Sequence, residues 1–204
     1  MITIEKLMSV NTKDIEEYSK IIDKNDLPQL VEWLSEKDDK IRYQSLLLLK
    51  SRSLYSDDVY PFWEIFRRKL KSANSYQRSI GLMLIADNAR WDKDNKFDNT
   101  IDEYFTLLND EKPITVRQCI QALSSIIPYK SHLQLKIANK IMSINILDIK
   151  ETMRKLILLD ILQLLAIIRK QQPTEEIDAY ISNALLGEIL DKKAKKQIES
   201  ILIG

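Results

Sequence analysis

The chain has 204 residues, 45% of them hydrophobic and 30% charged, with three glycines and five prolines. So few turn residues beside so much Leu, Ile, Lys and Glu disfavour a β-rich fold with many tight turns. A net charge of +1 gives no electrostatic reason to expect a polyanion or a membrane surface as partner, and a lone cysteine, Cys119, excludes an intramolecular disulfide framework.

The first ten residues carry Glu5 and Lys6 within a short apolar stretch and lack the pattern of a signal peptide. Thr12–Asp23 predicts an amphipathic helix with Ile15, Tyr18, Ile21 and Ile22 on one side, suited to capping a stack of helices. The remainder reads as pairs of helices. In the first pair Asp26 is the expected N-cap and Pro28 sits in the first turn; a sharp turn at Glu36–Asp39 then leads to IRYQSLLLLK. The second pair is VYPFWEIFRRKL and QRSIGLMLIA. The third is FDNTIDEYFTLL and VRQCIQALSSI, with Pro113 at a helix start and Pro128 closing the pair. The fourth is HLQLKIANKIM and MRKLILLDILQLLAIIRK, and the fifth, from Thr174, is IDAYISNALL and DKKAKKQIESIL. The longest apolar run, Leu156–Ile168, contains Asp160 and Gln163 and falls short of the roughly 20 residues that cross a bilayer. Being apolar on nearly all sides, it needs cover on more than one face, from the fifth pair or from self-association.

Four arginines, Arg42, Arg78, Arg117 and Arg154, open the second helices at spacings of 36, 39 and 37 residues, the period of a two-helix repeat. The stretch LLNDEKPITVRQCIQAL (107–123) resembles the second half of a HEAT repeat: a helix end, an acidic turn, a small or apolar residue before Arg, then a helix. The same frame recurs in WLSEKDDKIRYQSLLLL (33–49) and more loosely at 148–165. The resemblance to HEAT-repeat, armadillo-like proteins implies an all-α, right-handed α-solenoid in one domain, residues 1–204. It implies about five hairpins, near 24–53, 57–90, 95–128, 131–170 and 174–203, behind an N-terminal capping helix. An acid precedes the arginine by six residues at Glu36, Glu111 and Asp148, while Ser72 departs from the pattern. The resemblance implies that these acids and arginines form a structural ladder bridging the turns of neighbouring repeats. In the last helix Lys192 or Lys193 takes the arginine's place, and the face turns polar as a terminal cap requires.

The catalytic inventory is thin. The glycines stand too far apart for a phosphate-cradling loop, and one histidine with one cysteine cannot build a Cys/His zinc site alone. Cys119 and His132 could pair as nucleophile and base, but Cys119 lies mid-run, where a buried small hydrophobe is the ordinary reading. Asp92, Asp94 and Glu103 match positions 1, 3 and 12 of an EF-hand loop, yet Lys96 and Phe97 replace an oxygen ligand and the turn glycine. The segment from Trp91 to Glu103 is therefore expected to be an exposed loop, with Trp91 filling the gap between hairpins. No catalytic residue, cofactor or metal is expected.

Second helices line the inner surface in proteins of this resemblance. The residues after the arginines, Tyr43, Ser79, Gln118 and Lys155, together with Gln44, Gln121 and Lys50, would make a mixed polar surface there. The expectation is a non-catalytic, cytoplasmic protein-interaction module whose partner is another protein or peptide. The alternative is nucleic-acid binding. Some HEAT-like proteins are DNA glycosylases that excise alkylated bases with Trp, Asp and Arg on a strongly basic face; Trp91, Asp92 or Asp94, and Arg117 are similar in order. The clusters Lys50/Arg52, Arg67/Arg68/Lys69/Lys71 and Lys192/Lys193/Lys195/Lys196 would then be its phosphate contacts, although the near-zero net charge weighs against it. Trp33 and Trp63, with Tyr60, Phe62 and Phe66, read as core between hairpins rather than as a stacking platform.

Overall fold

Helix-period apolar spacing without β-type alternation produces helices throughout the computed structural model, which describes residues 1–203. Among these residues every regular element is helical and no strand occurs. The chain divides into two compact units, Met1–Thr100 and a second beginning at Ile101.

The first unit holds α1 (Ile4–Ser9), α2 (Ile15–Ile21), α3 (Leu27–Trp33), α4 (Asp39–Ser53), α5 (Trp63–Lys69) and α6 (Ser75–Asn88). Its longer helices begin where side chains satisfy free N–H groups. The Asp38 carboxylate accepts from the Lys40 and Ile41 amides at α4, and the Asn74 side chain accepts from the Tyr76 amide at α6. Helices α1, α2, α3 and α6 all pack on α4, and α5 packs on α6. Leu7, Leu30, Leu34, Leu48, Leu49, Trp63, Phe66, Leu82 and Leu84 form its buried core.

Three expectations for this stretch need correction. Asp26 makes no cap bond; its carboxylate instead accepts the Ile2 amide at 2.8 Å and faces the Met1 ammonium at 3.5 Å. This tie draws the first residues onto the unit, and with the Thr3 cap and the buried Leu7 it produces the extra helix α1. The helix at Thr12–Asp23 opens with a 3₁₀ turn, Thr12–Asp14, before α2. Its buried face is Ile15, Ser19 and Ile22, while Ile21 is 79% exposed. The reason is polar: the Ser19 and Ser51 hydroxyls share a 2.8 Å bond, and Arg52 donates to the carbonyls of Ser19 and Lys20. That anchoring rotates the Ser19 side of α2 towards α4.

The second unit holds α7 (Ile101–Thr106), α8 (Pro113–Ile126), α9 (Gln134–Met142), α10 (Glu151–Gln171), α11 (Glu175–Leu186) and α12 (Lys192–Ile203). Pro113 occupies a first-turn position of α8, and the Thr174 hydroxyl accepts from the Ile177 amide at the start of α11. The apolar helix α10 is the centre of this unit, in contact with α8, α9, α11 and α12. Ile157, Leu158, Ile161, Leu162, Leu164, Leu165 and Ile168 are buried, so the final helix pair helps to cover the face that a lone α10 would expose. No described helix is long and apolar enough to cross a membrane.

Candidate functional site

The four periodic arginines all lie in the opening turns of their helices, and three of them fold back on their own preceding loops. Arg42 donates to the Glu36 carbonyl at 2.8 Å and pairs with Asp39. Arg78 donates to the carbonyls of Ser72 (2.8 Å) and Ala73 (3.0 Å), and Arg154 to those of Leu147 (2.7 Å) and Ile149 (2.9 Å). These bonds stay inside one loop, whereas the ladder was expected to join neighbouring turns through carboxylates. Glu36 contributes its main chain, and the carboxylate of Glu111 faces Lys112. Ser72 accepts as well as Glu36 does because a main-chain carbonyl is indifferent to its side chain. Arg117 differs. Its guanidinium grips Asp160 of α10 through two bonds, 2.6 and 3.2 Å, and Gln121 donates to the same carboxylate at 3.1 Å.

The seven surface candidates divide in two. Gln44 donates to the Val10 carbonyl, Gln121 to Asp160, and Lys155 pairs with Asp191 and Lys50 with Asp87, so these four serve the fold. Among the described residues no side-chain hydrogen bond holds Tyr43, Ser79 or Gln118. Tyr43 is 59% exposed, and Ser79 and Gln118 are half-buried.

Residues outside that set build a groove in the first unit. Gly81 lets α6 approach α5 so closely that an added Cβ would stand 2.7 Å from the Phe66 carbonyl oxygen. This approach holds the last turn of α5 against α6 and buries Lys69, 9% exposed, with its amine between two neutral acceptors. The Ser35 hydroxyl accepts at 2.9 Å, and the Gln77 carbonyl oxygen accepts while its amide donates to the Leu34 carbonyl. Burial pushes the Lys69 ammonium below the ordinary lysine range. The groove, about 710 Å³, runs between the Ser35–Asp39 turn and the Ser72–Asn74 turn, with Arg42, Ile65, Arg68 and Tyr76 on its walls. Arg42 stacks on the Tyr76 ring at 5.6 Å. A second groove, about 560 Å³, lies in the other unit between the turns at 109–113 and 145–150; Asp110, Glu111 and Asp148 make it acidic. The sequence carried one sign of Lys69's placement. It lies three residues after Phe66 and six after Trp63, on the apolar stripe of its helix, where a cation is out of place.

The other chemical candidates are committed elsewhere. The Asp92 carboxylate accepts from the Lys96 and Phe97 amides and from the Tyr60 hydroxyl, which folds the loop back on itself. Burial and the adjoining Asp92 push the Tyr60 phenol well above its usual range. Trp91 donates to the Ser53 carbonyl at 2.7 Å. Cys119 is fully buried, its thiol 3.3 Å from the Tyr104 carbonyl and pushed far up by burial, while His132 is exposed. No group of three or more His, Cys, Asp or Glu positioned to hold a metal ion occurs among the described residues. Of the basic clusters, Lys50 pairs with Asp87, Arg52 forks onto Asp58, and Arg67 donates to the Asn99 carbonyl. Lys192, Lys193 and Lys196 are exposed on α12 and Lys195 is half-buried there. Neither the family models nor the curated proteins compared with this chain give a match.

Proposed function

We propose that this chain is a non-catalytic protein-interaction module on a HEAT-like scaffold, a right-handed α-solenoid of about five hairpins. The observation that carries the reading is the occurrence, in both units, of a groove between successive helical turns with mixed polar and apolar walls. Such walls suit a peptide chain, which brings apolar and charged side chains in alternation. Tyr43, Ser79 and Gln118 add contact groups whose hydrogen-bonding capacity the fold has not used. Basic residues weigh the same way, since several cations that a nucleic acid would need are taken up by internal carboxylates and carbonyls. We place the module in the cytoplasm, where a lone free thiol such as Cys119 stays reduced.

The test is affinity capture from nuclease-treated lysate, comparing the native chain with a variant carrying Tyr43→Glu, Ser79→Glu and Gln118→Glu. The expected result is a protein that co-purifies with the native chain and is lost from the variant at unchanged helicity and melting temperature. Capture of nucleic acid from untreated lysate, released by salt, overturns the reading.

A further inference from the structure

We propose that the groove beside Lys69 seats an acidic segment of a partner protein, with one carboxylate side chain placed over the Lys69 ammonium. The proposal deepens the interaction-module reading and rests on it. An ammonium has three donors, and Ser35 and Gln77 take two. Both acceptors are neutral, so the buried charge is solvated by dipoles but not compensated by an anion. Gln77 cannot turn its amide towards the lysine without giving up the Leu34 carbonyl, so its oxygen stays aimed at the amine. A carboxylate arriving from solution would supply the third acceptor and the missing charge together, in a place partly withdrawn from water, where charge-assisted bonds are strongest.

The surroundings select among anions. Lys37 and Arg68 line the same groove, and neither side chain has an ion pair or hydrogen bond among the described residues. Arg42 is already engaged by Asp39 and the Glu36 carbonyl. Lys37, Arg68 and Lys69 are thus open to a ligand, while the Glu36 and Asp39 carboxylates stand on the same wall. A nucleic-acid backbone, with a phosphate at every step, would meet those two acids along with the cations. A peptide can place a carboxylate at Lys69 and apolar side chains against Ile65 and Tyr76, which matches the mixture on the walls.

The probe is a short fluorescein-labelled peptide alternating Glu and Leu, followed by anisotropy against the full chain. Its Gln-for-Glu counterpart, inorganic phosphate and a DNA duplex serve as competitors. The expected result is binding of the Glu peptide, about tenfold weaker for the Gln version and about tenfold weaker for Lys69→Met and for Arg68→Glu. Lys193→Glu on α12 should bind as the native chain does. In ¹³C-labelled lysine spectra the Lys69 side chain should titrate at higher pH once peptide is bound; since unfolding would shift it the same way, the helicity and melting temperature of the complex must match those of the free chain or exceed them. No binding to the native chain, equal binding by Lys69→Met, or tighter binding of duplex than of peptide each overturns the proposal. If the groove variants lose nothing while the Tyr43/Ser79/Gln118 variant still loses its captured partner, this inference falls and the interaction module stands. If only duplex is bound, both fall.

Discussion

Arg117 and Asp160 show what one ion pair does in a helical interior. Asp160 is 5% exposed, and it sits among the leucines and isoleucines of α10 because two Arg117 donors and the Gln121 amide meet its oxygens. Removing the arginine strands a buried carboxylate. Arg117→Ala should therefore cost about 3 kcal/mol in urea unfolding, and Arg117→Met with Asp160→Leu should recover most of it. Recovery failing in the double variant would show that the pair does more than satisfy itself. Lys69 is the opposite case, a buried charge without a counter-ion. Its folded value lies below its unfolded one, so between the two the unfolded chain binds more protons and stability rises with pH. Below that window the full burial cost is present. The stability advantage of Lys69→Met over the native chain should thus be largest near neutral pH and shrink as pH climbs towards the ordinary lysine value. A difference that stays flat across that range contradicts the assignment.

At the scale of elements, two contacts decide the packing. Gly81 exists where α5 and α6 approach, and a methyl group there would collide with the Phe66 carbonyl and crowd Leu70. In a free helix Gly→Ala gains about 1 kcal/mol. Here Gly81→Ala should instead destabilise by about 1–3 kcal/mol, seen as a lower melting temperature, because the two backbones must separate. Helix α10 supplies the second contact. Leu165 is fully buried and Leu156 is 38% exposed, although both belong to one apolar run. Leu165→Ala should cost about 2–5 kcal/mol, whereas Leu156→Ala should stay within about 0.5 kcal/mol. Comparable losses at both positions would mean that the exposed end of α10 is covered in solution, as self-association would do.

For the whole molecule, Cys119 is a built-in reporter. It is the only thiol in the chain, fully buried, and pushed towards its unreactive protonated form. A thiol-specific reagent should leave the native chain unlabelled over hours. With rising urea the labelling should follow loss of helicity in the second unit, where Cys119 resides. Rapid labelling without denaturant would show that this unit opens far more readily than its packing implies.

Local physics made much of the molecule legible in one dimension. Apolar spacing of three and four residues, Pro113 at a helix start and the spacing of the four arginines depend on neighbours along the chain, so helices and their order could be read directly. The same spacing placed Lys69 on an apolar stripe, though among four basic residues it reads as an ordinary solvated cluster. What the arginines bind was not legible, because a main-chain carbonyl is an acceptor under every side chain and leaves no letter behind. The groove was hidden for a related reason. Lys69 meets Ser35 across 34 positions of chain, and that meeting depends on how closely Gly81 lets two helices approach. Sequence alone determined that this chain is helical and where its helices turn, since those are matters of period and capping. Tertiary structure alone decided which polar groups are spent inside and which are left unengaged at the surface, since that depends on packing between residues distant in the chain.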